Sequence, residues 1–286
     1  MSGGYDLHTH SNASDGTLAP ADLVQRAAAA GVRVLALTDH DTTAGVAEAE
    51  RAAGKLDLVL VSGVEVSVTW NSTTVHIVGL GVRPSDAGLQ AGLARLREFR
   101  VWRAVEIGRR LEKAGIPGAY EGARALSGGE LIARPHFARF LVEKGYAGGM
   151  SDVFRRFLVR GRPGHVPGDW ASLEEALGWI HGAGGQAVIA HPARYRFTRT
   201  KLRRLIGEFR ECGGEAMEVV SGSHSRDEMF TMANHARECG LLASAGSDYH
   251  GPGNHYLSLG QLPPLPRGCL PVWKDWKLSA GANYEF

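Results

Sequence analysis

Four short apolar runs in this chain each end in residues with imidazole or carboxylate side chains. They lead into His8-Thr9-His10, Thr38-Asp39-His40, Ala190-His191-Pro192 and Ser247-Asp248-Tyr249-His250. Because the carboxyl ends of parallel strands meet at one face of a barrel, side chains from several strand ends can converge there. Such a convergence of nitrogen and oxygen donors predicts a multinuclear metal site.

Strand and helix signals alternate in two blocks of the sequence. In the first block, residues 5–8 and 34–37 are strand-like, and residues 21–30 between them are strong helix formers. Further strand-like runs cover residues 58–61, 64–68, 75–78, 186–190, 217–220 and 241–245. Repeated β-α units imply parallel strands, and their number favours an α/β barrel over an open sheet.

The chain changes character between the two blocks. Residues 97–168 show helical runs without a strand signal, which predicts a helical insertion on a barrel formed by residues 1–96 and 169–286. From Arg95 to Arg162 there are 15 Lys and Arg residues against 7 Asp and Glu, although the whole chain carries a net charge of only +2. This local surplus favours an anionic ligand, with a solvated helix surface as the alternative.

Several protein classes are excluded by composition and pattern. No apolar run reaches the length of about 18 residues that a membrane span needs, and the N-terminus lacks the pattern of a cleavable signal. Cys212, Cys239 and Cys269 are widely spaced, which argues against a disulfide framework. We therefore expect a cytoplasmic protein without membrane association or an obligate protein partner.

Nine side chains are candidate metal ligands. The pairs His8/His10 and Asp248/His250 are each spaced by two residues, so both members lie on one face of a strand. A lone histidine is more often a hydrogen-bonded core or surface residue, but two such pairs at strand ends favour ligands. The full set is His8, His10, Asp15, His40, Glu65, His76, His191, Asp248 and His250. Because this set offers nitrogen and oxygen donors and no thiolate, it favours Mn²⁺, Fe²⁺ or Zn²⁺ as the bound ions.

The order and spacing of these motifs resemble the PHP (polymerase and histidinol phosphatase) family. The matching segments are residues 5–11, 15–17, 37–41, 63–65, 75–76, 190–192 and 246–250. The resemblance implies a distorted (β/α)7 barrel that holds up to three divalent metal ions. It also implies three ligand groups: His8, His10, Glu65 and Asp248; Asp15, His40 and His250; and Glu65, His76 and His191.

Closely spaced divalent ions suit the hydrolysis of phosphate esters, because they acidify a water and shield negative charge. Asp248 is therefore expected to be catalytic as well as a ligand. His224 is a candidate for protonating the leaving oxygen, with a solvated loop histidine as the alternative. Asp39 and Asp41 flank His40, and either could orient a metal ligand, although Asp41 could equally cap a helix.

Arginines beside rigid turns are candidates for binding phosphate, because a guanidinium can donate two parallel hydrogen bonds to it. The candidate substrate contacts are Arg134, His136, Arg160 and Arg194. Each could instead be an ordinary surface residue. Tyr195 and Trp170 could stack on a base, or simply pack against neighbours.

The segments 133–139 and 160–164 in the insertion resemble one PHP subgroup, which comprises 3′,5′-nucleotide bisphosphate phosphatases and exonucleases of the RNase AM type. This likeness implies removal of the 3′-phosphate to leave a 5′-mononucleotide, and digestion of short 5′-phosphorylated RNA. Histidinol-phosphate phosphatase is one alternative, which the basic insertion disfavours. A non-catalytic module serving a polymerase is another, which the complete ligand set disfavours.

Overall fold

The computed structural model describes residues 4–128, 131–252 and 258–277, so the last residues of the predicted barrel segment lie outside it. Within these ranges seven strands form one sheet in chain order. They are β1 Tyr5–Thr9, β2 Val34–Leu37, β3 Val59–Trp70, β4 Thr73–Leu80, β5 Gln186–Ile189, β6 Ala216–Ser221 and β7 Leu242–Gly246. The chain after β7 pairs with β1, since His10 N donates to Tyr249 O at 2.9 Å and Asp248 N to His8 O at 2.9 Å. The sheet thus curls into a nearly closed barrel, as expected.

Helices cover the strands and fill the insertion. They are α1 Pro20–Ala29, α2 Val46–Ala53, α3 Ala87–Lys113, α4 Ala119–Ala125, α5 Arg134–Glu143, α6 Met150–Val153, α7 Leu173–Gly182, α8 Arg199–Glu211 and α9 Arg226–Cys239. A π-helical turn over Phe154–Leu158 continues α6, and a 3₁₀ turn over Pro192–Tyr195 follows β5. In the part of the chain that the structure covers, no helix is long and apolar enough to cross a bilayer.

The barrel is distorted at β3 and β4. The two strand-like runs at 58–61 and 64–68 are one continuous strand of 12 residues, and β4 runs antiparallel to both of its neighbours. Asn71 and Ser72 join β3 to β4 with φ values of 45° and 58°. Two residues with positive φ match the right-handed twist of a hairpin, so a tight turn replaces a helical crossover here.

The barrel and the insertion have separate hydrophobic cores. Leu93 and Leu96 of α3 belong to the core around β3, β5 and α7, whereas Ile107 and Leu111 of the same helix belong to the core of the insertion. One helix therefore runs unbroken from the first core into the second, across residue 97. Two cores support a distinct insertion, although its boundaries at 97 and 168 stay a prediction.

Helix α3 packs closely against α7. A Cβ added to Gly92 would lie 2.4 Å from the Trp179 ring, so the absence of a side chain permits this approach. Helix α7 itself begins with a capping box, in which Ser172 Oγ accepts from Glu175 N and the Glu175 carboxylate accepts from Ser172 N. The position of α3 against α7 is thus fixed by close packing at Gly92.

Candidate metal centre

Glu65, near the middle of β3, lies at the centre of the predicted ligands. Its Oε2 atom is 3.3 Å from Nε2 of His8 and 3.3 Å from Nε2 of His10, and 2.9 Å from Nδ1 of His40. Its side chain is fully buried. One carboxylate oxygen is therefore shared among donors from the ends of β1 and β2.

The donor atoms of the cluster fall into three groups, each with its atoms within 4.8 Å of one another. The groups are His8, His10, Glu65 and Asp248; His10, Asp15, His40 and His250; and His40, Glu65 and His76. The first group is the one that the family resemblance implied. The second group contains His10 in addition to the three ligands that the resemblance implied. The third group contains His40 in place of His191. His191 is nevertheless close, because its Nε2 lies 3.0 Å from Glu65 Oε1.

Buried donor atoms without hydrogen-bond partners indicate that these residues fit metal ions. Among the described residues such atoms include His8 Nε2, both ring nitrogens of His10, Asp15 Oδ1 and Glu65 Oε2. Buried polar atoms in proteins are nearly always satisfied, so a concentration of unsatisfied donors at one place calls for a bound cation. Imidazole and carboxylate donors suit divalent ions of the first transition row.

The protonation states of several donors are suited to metal binding. Burial lowers the pKa of His10 to about 3 and that of His76 to about 4, so both rings are neutral at physiological pH. Burial opposes ionisation of Asp15 and Asp248, but neighbouring histidines hold the pKa of each carboxyl well below its usual range. His250 differs: despite burial, the two carboxylates raise its pKa to about 9. A metal would displace that proton.

Asp39 braces the loop that carries Asp15. Its Oδ1 accepts from Ser11 N at 2.8 Å and from Ser14 Oγ at 2.6 Å, and its Oδ2 accepts from Ser11 Oγ at 2.6 Å. These three hydrogen bonds hold residues 11–14 against the end of β2. Asp39 therefore positions the loop that carries the predicted ligand Asp15, and its hydrogen bonds go to this loop and not to the His40 ring.

Asp41 does the same for the segment after His40. Its carboxylate accepts from Ser67 N at 2.7 Å and forms an ion pair with Arg100 Nε at 2.6 Å. Helix α2 has Gly45 as its N-cap residue, so the helix-cap alternative for Asp41 is wrong. The ion pair ties α3 to the end of the strand that supplies His40.

Glu218 of β6 is a site residue that the motif analysis missed. Its Oε1 lies 2.6 Å from His8 Nδ1, and its Oε2 accepts from His191 N at 2.6 Å. The side chain is buried. The one signal in the sequence is an acidic residue inside the apolar run 216–220, where a charge needs a partner.

Arginines line the cavity that opens onto the ligand cluster. The cavity is bounded by His40, Glu65, His76, His191, Asp248 and His250, and by Arg100, Arg103, Arg134 and Arg194. The Cζ atoms of Arg100 and Arg103 lie 5.0 and 5.4 Å from the centre of the Trp170 ring. Trp170 Nε1 donates to Thr74 Oγ1 at 3.1 Å, so this ring is part of the packed wall that supports the two cations.

Arg134 and Arg194 are both placed where a phosphate could reach them. Across the described ranges, no carboxylate lies within ion-pair distance of Arg134, whose guanidinium lies over the Phe154 ring at 5.8 Å. Burial and the nearby Arg194 and Arg100 lower the pKa of Arg134 to about 10, so it stays charged at neutral pH. Arg194 pairs with Asp248 Oδ2 at 3.0 Å.

His136 and Arg160 are not brought to this cavity. His136 is buried, and its Nδ1 accepts from Ala133 N at 2.9 Å, so it caps the first turn of α5. Burial lowers the pKa of His136 to about 4. Arg160 is exposed and does not line the cavity. His136 therefore supports the helix that starts with Arg134, and no contact supports a substrate role for Arg160.

His224 is not placed to protonate a leaving group. Its Nε2 accepts from Ala193 N at 3.3 Å and its Nδ1 donates to Val219 O at 3.2 Å, so both nitrogens are used by the backbone. The ring is buried and holds the turn that follows β5. Tyr195 in that turn accepts from His76 N at 2.8 Å, which makes it a packing residue rather than a base platform.

The barrel and its histidine–carboxylate cluster define a class of α/β proteins that hold metal at the carboxyl ends of their strands. Within that class, the model of the PHP domain family matches residues 6–116. The chain belongs to the PHP domain family, in agreement with the motif resemblance.

Relatives cover almost the whole chain. The 3′,5′-nucleoside bisphosphate phosphatase of Chromobacterium violaceum is 51% identical over 271 residues, 94% of this chain and 95% of the relative. The 5′-3′ exoribonuclease Rnm of Escherichia coli is 46% identical over 275 residues, 96% of this chain and 94% of the relative.

Solved structures agree with this fold. An amidohydrolase from Chromobacterium violaceum, with bound sulfate and no metal, superposes with a TM-score of 0.91 at 50% identity and covers 95% of both chains. A candidate metal-dependent phosphoesterase from Bifidobacterium adolescentis gives a TM-score of 0.81 at 28% identity, over 96% of this chain and 94% of the other. The expected PHP-type barrel is confirmed.

Proposed function

We propose that this protein is a metal-dependent phosphoesterase that hydrolyses the 3′-phosphate of nucleoside 3′,5′-bisphosphates and releases 5′-mononucleotides. The observation that carries this proposal is one cavity in which the ligand cluster and four arginines face the same space. A bisphosphate bears an anion at each end, and the cavity offers a cationic partner for both. The relative with 51% identity is named for this reaction, which supports the proposal.

The nine predicted ligands would hold up to three divalent ions, with Mn²⁺ as our first choice and Fe²⁺ or Zn²⁺ as alternatives. Ions bound there supply Lewis-acid polarisation of the phosphoryl oxygens and an acidified water. Glu65 and Asp248 keep their carboxylates ionised, and Asp39 and Asp41 hold the ligand-bearing segments in place. No separate protein nucleophile is required.

The four arginines that line the cavity have different roles in binding the substrate. Arg134 donates to the 5′-phosphate, because it is charged and has no carboxylate partner in the cavity. Arg194 already contacts the predicted ligand Asp248 and is positioned to donate to the phosphate that is cleaved. Arg100 and Arg103 add positive potential while their own hydrogen bonds hold Asp41 and Val166 O.

A second activity on the same site is 5′-3′ digestion of short 5′-phosphorylated RNA. The relative with 46% identity is named as an exoribonuclease, which favours it. Both substrates place an ester oxygen at the 3′ position and a phosphate at the 5′ end. Histidinol phosphate fits less well, because its amine would meet a cavity already lined by guanidinium groups.

A substrate panel tests the proposal. Purified protein loaded with Mn²⁺ is assayed for phosphate release from adenosine 3′,5′-bisphosphate, adenosine 3′-monophosphate and histidinol phosphate, and for digestion of RNA with and without a 5′-phosphate. We expect the bisphosphate and the 5′-phosphorylated RNA to be preferred. Preference for histidinol phosphate, or no turnover by protein of verified metal content, would refute the assignment.

We also propose that the enzyme works in the cytoplasm and needs no protein partner. Cys212, Cys239 and Cys269 are each unpaired, as expected for a reducing compartment. Eight of the nine predicted ligands form donor groups within this chain, and the ninth, His191, lies 3.0 Å from Glu65.

A further inference from the structure

We propose that Glu218 is a positioning residue that fixes the ring of His8 and the backbone of His191 together. One carboxylate would thereby set the geometry of ligands for two predicted metal positions. Among the described residues, the groups of donors that could hold an ion do not include Glu218. The inference rests on the proposed metal site.

The contact with His8 selects which nitrogen can bind metal. Glu218 Oε1 lies 2.6 Å from His8 Nδ1, while His8 Nε2 points to Glu65 Oε2 at 3.3 Å and Asp248 Oδ1 at 3.6 Å. An ionised carboxylate can only accept, so Nδ1 must carry the proton. The lone pair of Nε2 is then directed at the predicted metal position.

The contact with His191 holds a backbone that is rarely adopted by residues with a side chain. His191 has φ 30° and ψ 56°, in the left-handed region. Its N–H donates to Glu218 Oε2 at 2.6 Å, and its ring Nε2 reaches Glu65 Oε1 at 3.0 Å. The hydrogen bond therefore stabilises the backbone conformation that aims this ring at Glu65.

Strand β7 encloses the pair from one side. A Cβ added to Gly246 would lie 2.3 Å from His8 Cβ and 3.1 Å from Glu218 Oε1. Glycine at this position lets the strand pass directly against both side chains. With little free space there, neither side chain can rearrange easily if the hydrogen bond is lost.

Glu218→Gln separates this role from simple packing, because glutamine has almost the same size but only one accepting oxygen. The backbone N–H of His191 cannot become an acceptor, so the amide oxygen should stay with it. The amide NH₂ then faces His8 Nδ1, which must accept, and the ring proton moves to Nε2. That proton occupies the position where a metal would bind.

The experiment measures Zn²⁺ affinity of Glu218→Gln by competition with a chelator, together with metal content per chain. We expect binding about 10- to 100-fold weaker at the affected sites. Glu215→Gln is the matched control. Glu215 Oε2 also contacts a backbone N–H and a ring nitrogen, Ala187 N at 2.9 Å and His181 Nε2 at 3.3 Å, but outside the cavity. It should bind Zn²⁺ like the wild type.

A second measurement needs no variant. In the ¹⁵N-labelled, Zn²⁺-loaded wild-type protein, His8 should carry its proton on Nδ1 and bind metal through Nε2. The reverse arrangement, or a Glu218→Gln variant with wild-type affinity, overturns the inference. If Glu218→Gln fails to fold, the wild-type spectrum alone decides. A wild-type protein that binds no metal would refute the proposed function instead.

Discussion

Arg134 combines a half-buried position with a full positive charge and no carboxylate partner among the described residues. Arg134→Ala is expected to weaken transition-state binding of substrates with a 5′-phosphate by about 2–3 kcal/mol, typical of a lost charged hydrogen bond. The measurement is kcat/KM for adenosine 3′,5′-bisphosphate against adenosine 3′-monophosphate. Arg160→Ala, on the exposed surface, is the control. Equal losses on both substrates would contradict the assignment.

His136 gives the stability of the protein a dependence on pH. Burial holds its pKa at about 4 in the folded state, against 6.5 for an exposed ring; Asp15 opposes this shift, and Arg139, His250 and Arg100 add to it. The unfolded chain therefore binds a proton first, and stability is lost as the pH falls from about 6.5 toward 4.

The loss should be at most about 3 kcal/mol, and His136→Asn should remove it while retaining an acceptor for Ala133 N. Urea unfolding of both proteins at a series of pH values measures the difference. The prediction fails if the two proteins lose stability in parallel over this range.

The role of a residue could be predicted from the sequence where its spacing from a similar residue placed both on one face of a strand. The two-residue spacing of His8 and His10 follows from strand geometry, and the structure brings both to the cluster. His136 and His224 have no such pattern, and only their contacts show that the backbone uses them. Glu218 was missed because its partners are 210 and 27 residues away in the chain.

At the scale of elements, the approach of α3 to α7 depends on Gly92. Gly92→Ala would place a Cβ 2.4 Å from the Trp179 ring, so the helices must move apart. We expect destabilisation of about 1–3 kcal/mol, as for other overpacked cores. Thermal unfolding measures it.

Gly178→Ala is the matched control in α7, because nothing lies within 4 Å of the added Cβ. Alanine is the better helix former, so this variant should gain about 0.5–1 kcal/mol. Similar unfolding temperatures for both variants would show that α3 and α7 are not tightly packed at Gly92.

The sequence patterns predicted most of the helices and strands, but not the direction in which each strand runs in the sheet. Asn71 and Ser72 are residue types common in turns, yet the reversal of β4 depends on positive φ values that sequence does not display. The gap between the runs 58–61 and 64–68 contains Ser62 and Gly63, which looked like a break. Gly63 instead serves close packing, since a Cβ there would lie 2.8 Å from Thr38 Cγ2.

For the whole molecule, metal should contribute to both activity and stability. Removal by a chelator leaves buried carboxylates and imidazoles without a cation, and any ion that binds only the folded state stabilises it by about 2.7 kcal/mol at 100 times its Kd. We expect chelated protein to lose turnover and several degrees of Tm, with both restored by Mn²⁺. An unchanged Tm after verified removal would mean that the ligands are not a metal site.

The architecture as a whole followed from the alternating strand and helix signals and from the PHP motifs, because strand ends in a barrel converge regardless of loop details. The insertion was visible only as a stretch without strands. No change of secondary structure marks the predicted start at residue 97, because α3 continues helical from Leu89 through Ile107 while its contacts pass from one core to the other.

The unbroken helix α3 fixes the distance and the direction from the barrel core to two arginines of the cavity. Leu96 anchors it on the barrel, and Arg100 and Arg103, one and two turns on, reach the cavity. An α-helix advances about 1.5 Å and turns about 100° per residue. Inserting one residue between Leu96 and Arg100 would rotate both guanidinium groups by about 100° relative to the barrel, away from the ligands that they now face.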